Sequence, residues 1–497
     1  MELLSVEEMQ EADRLTIAGG TEGFALMQHA GRAVADAAAV LAPDGPIVVV
    51  AGRGNNGGDG FVAAADLVAR GREVSVILLC KRDSLKGDAA RAAQEWKGDV
   101  LPCVPASLGH PALVIDALFG AGLDRPVKGD AATIIEAINA ADAPVLAVDL
   151  PSGINGTSGE VMGVAIEATQ TVTFFRRKPG HLLLPGRLYC GEVHVADIGI
   201  KADVLDTIRP RAFQNVPELW HESFPVPQID GHKYARGHAL VVSGDMTATG
   251  AARLAARAAL RAGAGLVTLV SPRDALAVNA ASLTAVMIRA ADTPKQFAKL
   301  LEDKRLNACV IGPGAGVGSH TRDFVLEILS AQRSCVLDAD ALTSFADHPE
   351  QLFSAIRNAR AQIVLTPHAG EFARLFKSEI ADASLSKLER TRMAATQSGA
   401  VVLLKGPDTV VASPGGRASI ASNAPPWLAT AGAGDVLAGM IGGFLAQGVD
   451  AFDAASIGVW MHGEAAHQFG PGLIAEDLSE TLPEVFADLY TEFGIGF

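Results

Sequence analysis

Aromatic residues and cysteine are scarce in this chain. Phe, Trp and Tyr together make up 5% of it, and its five cysteines are Cys80, Cys103, Cys190, Cys309 and Cys335. They are scattered, odd in number and never at Cys-x-x-Cys spacing, so neither a disulfide framework nor a zinc site is suggested. Long basic runs are also lacking. The 41 basic residues against 56 acidic ones leave a net charge of -15. Nucleic acid is therefore not an expected partner, because neutralising its phosphates needs clustered Lys and Arg. No apolar run reaches the length of a membrane span, since Arg, Asp and Gly interrupt the Ala-rich stretches. The acidic, amphipathic start MELLSVEEMQEADRLT is unlike a signal peptide. A soluble protein of the reducing cytoplasm, with no membrane partner, is the expectation.

What is present is a long, ordinary globular composition. At 497 residues the chain exceeds one hydrophobic core and predicts two to four domains. The hydrophobic fraction of 49% and charged fraction of 20% exclude disorder. Gly, at 52 residues, exceeds the usual share of about 7% without a collagen-like period, which points to many tight loops. An anionic small ligand stays open despite the acidic balance, because backbone amides bind phosphate without side-chain charge.

The first half alternates between strand and helix. Ile47–Ala51 reads as a strand running into GRGNNGGDG, with a helix from about Phe61 to Arg70. A strand Glu73–Leu79, a helix near Gly87–Trp96 and a strand Leu113–Asp116 entering ALFGAGLDRP follow. A helix around Ala131–Ala140 then leads to the strand Pro144–Asp149, which ends in LPSG. Continuous Val/Ile/Leu runs separated by helices predict a parallel sheet covered on both faces, with ligands bound at its carboxyl ends. From Arg209 to Gln228 four prolines and few periodic apolar residues suggest an interdomain linker. A second α/β run starts at HALVVSGD and includes a helix Ala251–Ala262 and strands Gly265–Val270, Ala308–Ile311 and Cys335–Leu337. Strands Gln362–Leu365 and Val401–Lys405, a strand pair near Thr409–Ile420 and a final helix opened by GAGD complete it. The expected fold is α/β with two unequal domains.

In the first half, Asn55, Asn56, Gly57, Gly58 and Asp59 lie between a buried strand and a helix. Glycines there let backbone approach a ligand, and amides at a helix start favour phosphate, although a tight structural turn would need the same residues. The pattern is neither GxGxxG nor a Walker loop. Asp116 and Asp149 each end a strand, and each alone could be a cap or turn residue. With Ser152 and Asn oxygens nearby, they would suit a hard cation. His29, His181 and His194 lack ligand spacing and read as surface or packing residues.

AGRGNNGGDG, VIDALFGAGLDRP and VLAVDLPSG, in this order, resemble the epimerase domain that interconverts the two C6 epimers of hydrated NADH and NADPH. The resemblance covers about residues 1–215 and implies a Rossmann-like doubly wound sheet. It places Asn55, Asn56, Gly57, Gly58 and Asp59 along the substrate. Gly120, Ala121, Gly122, Leu123, Asp124, Arg125 and Pro126 would lie over the substrate's phosphates. It makes Asp149 a substrate contact and the candidate acid–base residue. Asn56, Asp116 and Ser152 would hold K⁺.

In the second half, GAGD puts Asp435 in the first turn of a helix beside glycine amides. That is an anion hole with a base, or a plain helix cap. LKGPDTVV gives Lys405, Gly406, Pro407, Asp408 and Thr409 in a turn between strands. LTPHAGEF places His368 and Glu371 after a strand end, and IGPGAGVG is a strand entering a rigid turn. These motifs, with HKYARGHALVVSGD and DADAL, are similar to the ribokinase-like ADP-dependent dehydratases of hydrated NAD(P)H, over about residues 226–497. The resemblance implies that Ala251, Gly314, Gly316, His368 and Asp435 face the hydrated nucleotide, with Asp435 catalytic. Lys405 through Thr409, with Gly434, would face ADP, and Mg²⁺ is expected with the phosphates. Ala433 departs from the usual Thr or Ser, Thr343 from Asn, and Ala315 from Leu. Both halves imply one bifunctional repair enzyme, and a homo-oligomer is expected. The rival is a ribokinase-like small-molecule kinase carrying a non-catalytic nucleotide-binding module.

Overall fold

Apolar runs without polar alternation form strands buried on both faces. In the computed structural model, which describes residues 1–376, 380, 382 and 385–496, the chain divides into a unit spanning Glu2–Ala212 and a second beginning at Phe213. The first unit's sheet comprises Ile47–Ala51 (β1), Val74–Leu78 (β2), Val100–Pro102 (β3) and Leu113–Ala117 (β4). Val145–Val148 (β5), Gln170–Phe174 (β6) and Glu192–Ala196 (β7) complete it. All pair in parallel in the order β3-β2-β1-β4-β5-β6-β7. The winding reverses between β1 and β4, so this is a Rossmann-like doubly wound sheet with its switch point there. Val49 of β1 joins Phe24, Phe61 and Leu67 in one buried cluster, whereas its neighbour Val50 joins Ile134 and Ile135 in another. Helices therefore cover both faces: Val6–Ala18 (α1), Gly23–Leu41 (α2), Asn55–Ala69 (α3), Gly87–Glu95 (α4) and Asp130–Asn139 (α5).

Two expectations are corrected here. Helix α3 begins at Asn55, not near Phe61, so the Asn-Gly segment forms its first turns. Its glycines make room for neighbouring protein atoms. A Cβ at Gly57 would collide with the Gly52 carbonyl, and at Gly60 would lie 2.6 Å from Ala117 Cβ. Strands β6 and β7 were also not anticipated, because QTVTF and EVHVA carry polar residues. Thr171 and Thr173 are nevertheless buried, and Thr171 donates to the Cys190 carbonyl at 2.7 Å.

The second unit repeats the logic with a different order. Its strands are His238–Val242 (β8), Leu266–Ser271 (β9), Met287–Ala290 (β10), Ala308–Ile311 (β11) and Ser334–Leu337 (β12). Ile363–Leu365 (β13), Val401–Leu404 (β14), Val410–Ala412 (β15) and Ala418–Ile420 (β16) follow. They lie in the order β16-β15-β14-β13-β12-β11-β8-β9-β10, with the β14–β15 and β15–β16 pairs antiparallel and the others parallel. The Ala-rich helix Thr249–Arg261 (α6) packs on Ala433–Ala446 (α7), the GAGD helix. That helix is not the last, since Ala451–Phe469 (α8) and Ala475–Glu492 (α9) follow it. Among the described residues no helix is long and apolar enough to cross a membrane.

The segment expected as a linker is instead built into the second unit. Trp220 is 1% and Phe224 6% exposed, and both belong to its main cluster. Trp220 stacks edge-on against Trp460 and Phe493, while its Nε1 donates to Asn215 Oδ1 at 3.1 Å. Prolines broke the helical period that would have revealed these residues as core.

The α6–α7 contact yields a stability prediction. Gly439 lies against the Ala255 carbonyl, where any Cβ would collide with backbone. Gly439→Ala should therefore destabilise the second unit by about 1–3 kcal/mol, as overpacking does, despite alanine's better helix propensity. Denaturant unfolding of that unit measures it, and a neutral or stabilising result would contradict the tight contact.

Candidate active sites

The switch point of the first unit opens on a cavity of about 920 Å³. Asn55, Asn56 and Asp59 line it from α3, the Gly120–Pro126 turn from beyond β4, Asp149 from beyond β5, and Lys178 from beyond β6. Gly57 and Gly58 are not among its lining residues. Helix α3 has Gly54 as its N-cap and no side-chain cap, which leaves first-turn amides and the helix dipole to favour an anion. Gly120 has to be small. A Cβ there would lie 3.0 Å from Asn56 Oδ1 and 3.1 Å from Asp149 Oδ2.

Asp149 sits at φ 64°, a left-handed conformation costly for most side chains. Its Oδ1 accepts from Lys178 Nζ at 2.6 Å and Thr173 Oγ1 at 3.0 Å, and its Oδ2 from the Ala121 amide at 3.0 Å. Burial alone would raise this carboxyl, but the Lys178 ammonium and these hydrogen bonds bring it down to about 2. Lys178 is 1% exposed and also donates to Thr173 Oγ1 at 2.9 Å. His181 fastens the pair: its Nδ1 accepts from the Lys178 amide at 2.9 Å, and its Nε2 lies 2.9 Å from the Asp149 carbonyl oxygen. It is a buried packing residue, whereas His194 is half-exposed beside Glu192.

Asp116 and Ser152, both fully buried, are bound to each other. Ser152 donates its amide to Asp116 Oδ2 at 2.7 Å and its hydroxyl to Oδ1 at 2.6 Å. Burial pushes the Asp116 carboxyl up to about 6, against the hydrogen bonds from Ser152 and Leu118. Two other carboxyls lie in the cavity. Burial, with Asp149 close by, raises Asp13 to about 6 against the pull of Lys178. Asp59 is raised well above the usual range by burial and by Asp149 and Asp13. Sequence reasoning missed Lys178, Thr173 and Asp13. Lys178, in FFRRKPGH, was hidden among other basic residues, and Asp13 gave no local signal at all.

The second unit gathers its candidates at the carboxyl ends of β8, β11, β12, β13 and β14. Lys405 donates to Asp338 Oδ1 at 2.7 Å, and its Nζ would lie 3.5 Å from a Cβ at Gly434. Asp435, in the first turn of α7, is raised to about 6 by burial and Asp338, with Lys405 opposing and Asp340 adding. The α7 start has no side-chain cap, and its N-cap Gly432 is at φ 89°. Asp340 accepts from the Gly316 amide at 2.9 Å, which ties the glycine turn to this cluster. A Cβ on Gly314 would lie 3.5 Å from Ala251 Cβ, so these two are neighbours. Gly314, Ala315, Gly316, Ser243 and Asp340 line a cavity of about 290 Å³. His368 caps the helix Ala369–Leu375: its Nδ1 accepts from Gly370 at 2.9 Å, while Glu371 accepts from the His368 amide at 2.9 Å. Its ring is 55% exposed. In the Lys405–Thr409 turn, Asp408 is buried against Lys387 Nζ at 2.6 Å, and Thr409 donates to the Gly406 carbonyl at 2.7 Å. These two side chains shape the turn and do not reach outward. Asp338 and Lys387 are the second unit's unanticipated charged partners.

Two doubly wound sheets, each with carboxylates and an uncapped helix start at its carboxyl ends, make an α/β enzyme of the nucleotide-handling kind. Residues 23–180 match the family described as YjeF-related protein N-terminus, and residues 239–484 the family described as NAD(P)H-hydrate dehydratase. The bifunctional NAD(P)H-hydrate repair enzyme of Moorella thermoacetica is 36% identical over 99% of this chain and 98% of that protein. The Salinibacter ruber protein of the same name is 35% identical over 99% of this chain and 97% of its own. A Bacillus subtilis ADP/ATP-dependent NAD(P)H-hydrate dehydratase, co-crystallised with ATP and Mg²⁺, aligns with 56% of this chain and 98% of its own. Its identity is 27% and its TM-score 0.49. The chain belongs to the family of bifunctional NAD(P)H-hydrate repair enzymes, with an epimerase part and a dehydratase part.

The Lys178–Asp149 pair gives the prediction for this region. Asp149 is lower in the fold than the roughly 3.9 of an unfolded Asp. Its pairing therefore contributes stability at neutral pH, which is lost as pH falls from about 4 through about 2. Lys178→Met would strand a buried carboxylate and should cost the first unit about 3–5 kcal/mol at pH 7, and less as acid protonates Asp149. Unfolding curves at pH 7 and pH 4 test this, and equal losses at both would contradict it.

Proposed function

We propose that the first unit interconverts the R and S epimers of hydrated NADH and NADPH in its 920 Å³ cavity. The second unit would dehydrate the S epimer with ADP, releasing AMP and phosphate. The observation that carries this reading is Asp435 in the first turn of an uncapped helix with Lys405 beside it, a base set in an anion hole. Asp435 takes the proton of the C6 hydroxyl as that oxygen attacks the β-phosphorus of ADP and AMP leaves. Lys405 and the α7 amides stabilise charge building on the phosphoryl group. The lone pair of the ring nitrogen then expels phosphate from C6, and loss of a ring proton restores the dihydronicotinamide. A carboxyl near 6 is mostly ionised at neutral pH yet basic enough to accept a proton. Gly314, Gly316 and Ala251 would bed the hydrated nucleotide, with His368 at the rim. The Lys405–Thr409 turn and Gly434 would hold the nucleotide donor. Mg²⁺ would ride on the donor's phosphates, keeping several waters, and spread their charge.

In the first unit the amides of α3 and the Gly120–Pro126 turn would take the phosphates, and Asp149 would contact the ring. A K⁺ ion fits Asn56, Asp116 and Ser152. All offer hard oxygens, and Asp116 is a buried carboxylate without a cationic partner among the described residues. That ion would supply a fixed positive charge beside the phosphate turn. All five cysteines are free thiols, which suits the reducing cytoplasm.

The function is tested by giving the protein a mixture of R and S hydrates with ADP and following reduced-nicotinamide absorbance. Complete recovery requires both activities, and a rival kinase would give none. Asp435→Asn keeps size and capping ability, so the fold should survive while dehydration falls about 10²–10⁴-fold. In the parent, dehydration should rise with pH through about 6 and then level off, as Asp435 ionises. A variant within about threefold of the parent, well inside the usual general-base loss, would reduce Asp435 to a cap.

A further inference from the structure

Asp149 by itself does not account for proton movement in the first cavity. Lys178, Thr173 and the Ala121 amide occupy its oxygens and hold it ionised, which makes it a fixed anion and a weak base. Asp13 on α1 and Asp59 on α3 line the same cavity. Asp59 is 8% exposed, and neither carboxyl has a side-chain hydrogen bond among the described residues. Asp59 lies within electrostatic reach of Asp13 and Asp149, and Asp13 within reach of Asp149 and Lys178. The other charged groups lining the cavity are Arg53, Asp88, Asp124, Arg125, Lys128 and Asp130. Neighbouring carboxyls facing a permanent anion cannot all ionise, so a proton stays with them.

We propose that Asp13 and Asp59 form the carboxyl pair that carries the proton of epimerisation, giving it to the departing C6 oxygen and taking it back from the incoming one. This rests on the epimerase assignment of the cavity made above. The hydrated ring is a carbinolamine, with hydroxyl and ring nitrogen on the same carbon. The pair protonates the hydroxyl, the C6–O bond breaks, the nitrogen lone pair forms C6=N, and water leaves. Water then adds to the opposite face, the C6=N electrons return to nitrogen, and one water proton returns to the pair. One water and one proton leave and return, so no oxidant or reductant enters. Asp149 stays ionised beside the transient positive charge on the ring nitrogen.

The test uses the full chain and pure R epimer without ADP, read by chiral separation across pH 5–8. The parent should epimerise faster as pH rises through about 6, where Asp13 ionises. Asp13→Asn and Asp59→Asn should each lower kcat about 10²–10⁴-fold with KM within about threefold, and Asp13→Asn should lose the inflection. In ¹⁸O-water the parent should incorporate one solvent oxygen at C6 per inversion, a readout that needs no variant. Epimerisation by either variant within about threefold of the parent, an inflection that survives Asp13→Asn, or inversion without solvent oxygen would overturn the pair. A parent that dehydrates the S epimer but never inverts the R would instead overturn the epimerase assignment itself.

Discussion

A lysine bonded to an aspartate at a strand end, buried in the first unit and part-buried in the second, is the interaction on which both sites depend. In the first unit it is Lys178 on Asp149, and in the second Lys405 on Asp338, at 2.6 and 2.7 Å. Each pair puts one full charge of each sign where water is scarce, which is tolerable only with close geometry and further hydrogen bonds. The consequence for neighbouring carboxyls is the same in both. With one aspartate committed to the lysine, burial and like charge lift the next: Asp59 and Asp13 in one site, Asp435 in the other. Environments that push carboxyls apart are how one side-chain type supplies both fixed charge and mobile protons.

The two sheets reach this arrangement by different windings. In the first, the reversal between β1 and β4 opens a crevice into which α3 and the Gly120 turn both point. In the second, the antiparallel hairpin of β14 and β15 turns the chain at Lys405–Thr409, and Lys387 closing on Asp408 keeps that turn rigid. Glycine serves contact as much as ligand. Gly57 and Gly60 seat α3 on the sheet, and Gly120 leaves room for the side chains of Asn56 and Asp149.

Much of this was legible in the sequence because it is local. Buried strands appear as Val/Ile/Leu runs, as in Ile47–Ala51 and Val401–Leu404, and the carboxylates ending them could be read off directly. Helix α3 was legible as an element but not in its start, since a glycine-rich first turn mimics a loop until its packing is known. Strands β6 and β7 were hidden by threonines and charges whose partners lie elsewhere in the chain. Lys178 and Asp13 were illegible for the same reason. What singles them out is burial and a neighbour distant in sequence, and neither leaves a mark in spacing.

The aromatic belt of Trp220 and Phe224 changes where the molecule can be cut. A fragment begun at Val226 would discard two rings and bare the faces of Trp460, Phe486 and Phe493 that they cover. It would also leave Asp453 without Ser223, which donates to it at 2.6 Å. A fragment of the second unit that keeps this belt has to begin before Trp220, and gene fusions or domain transplants that treat the proline-rich stretch as a spacer would sever a hydrophobic core.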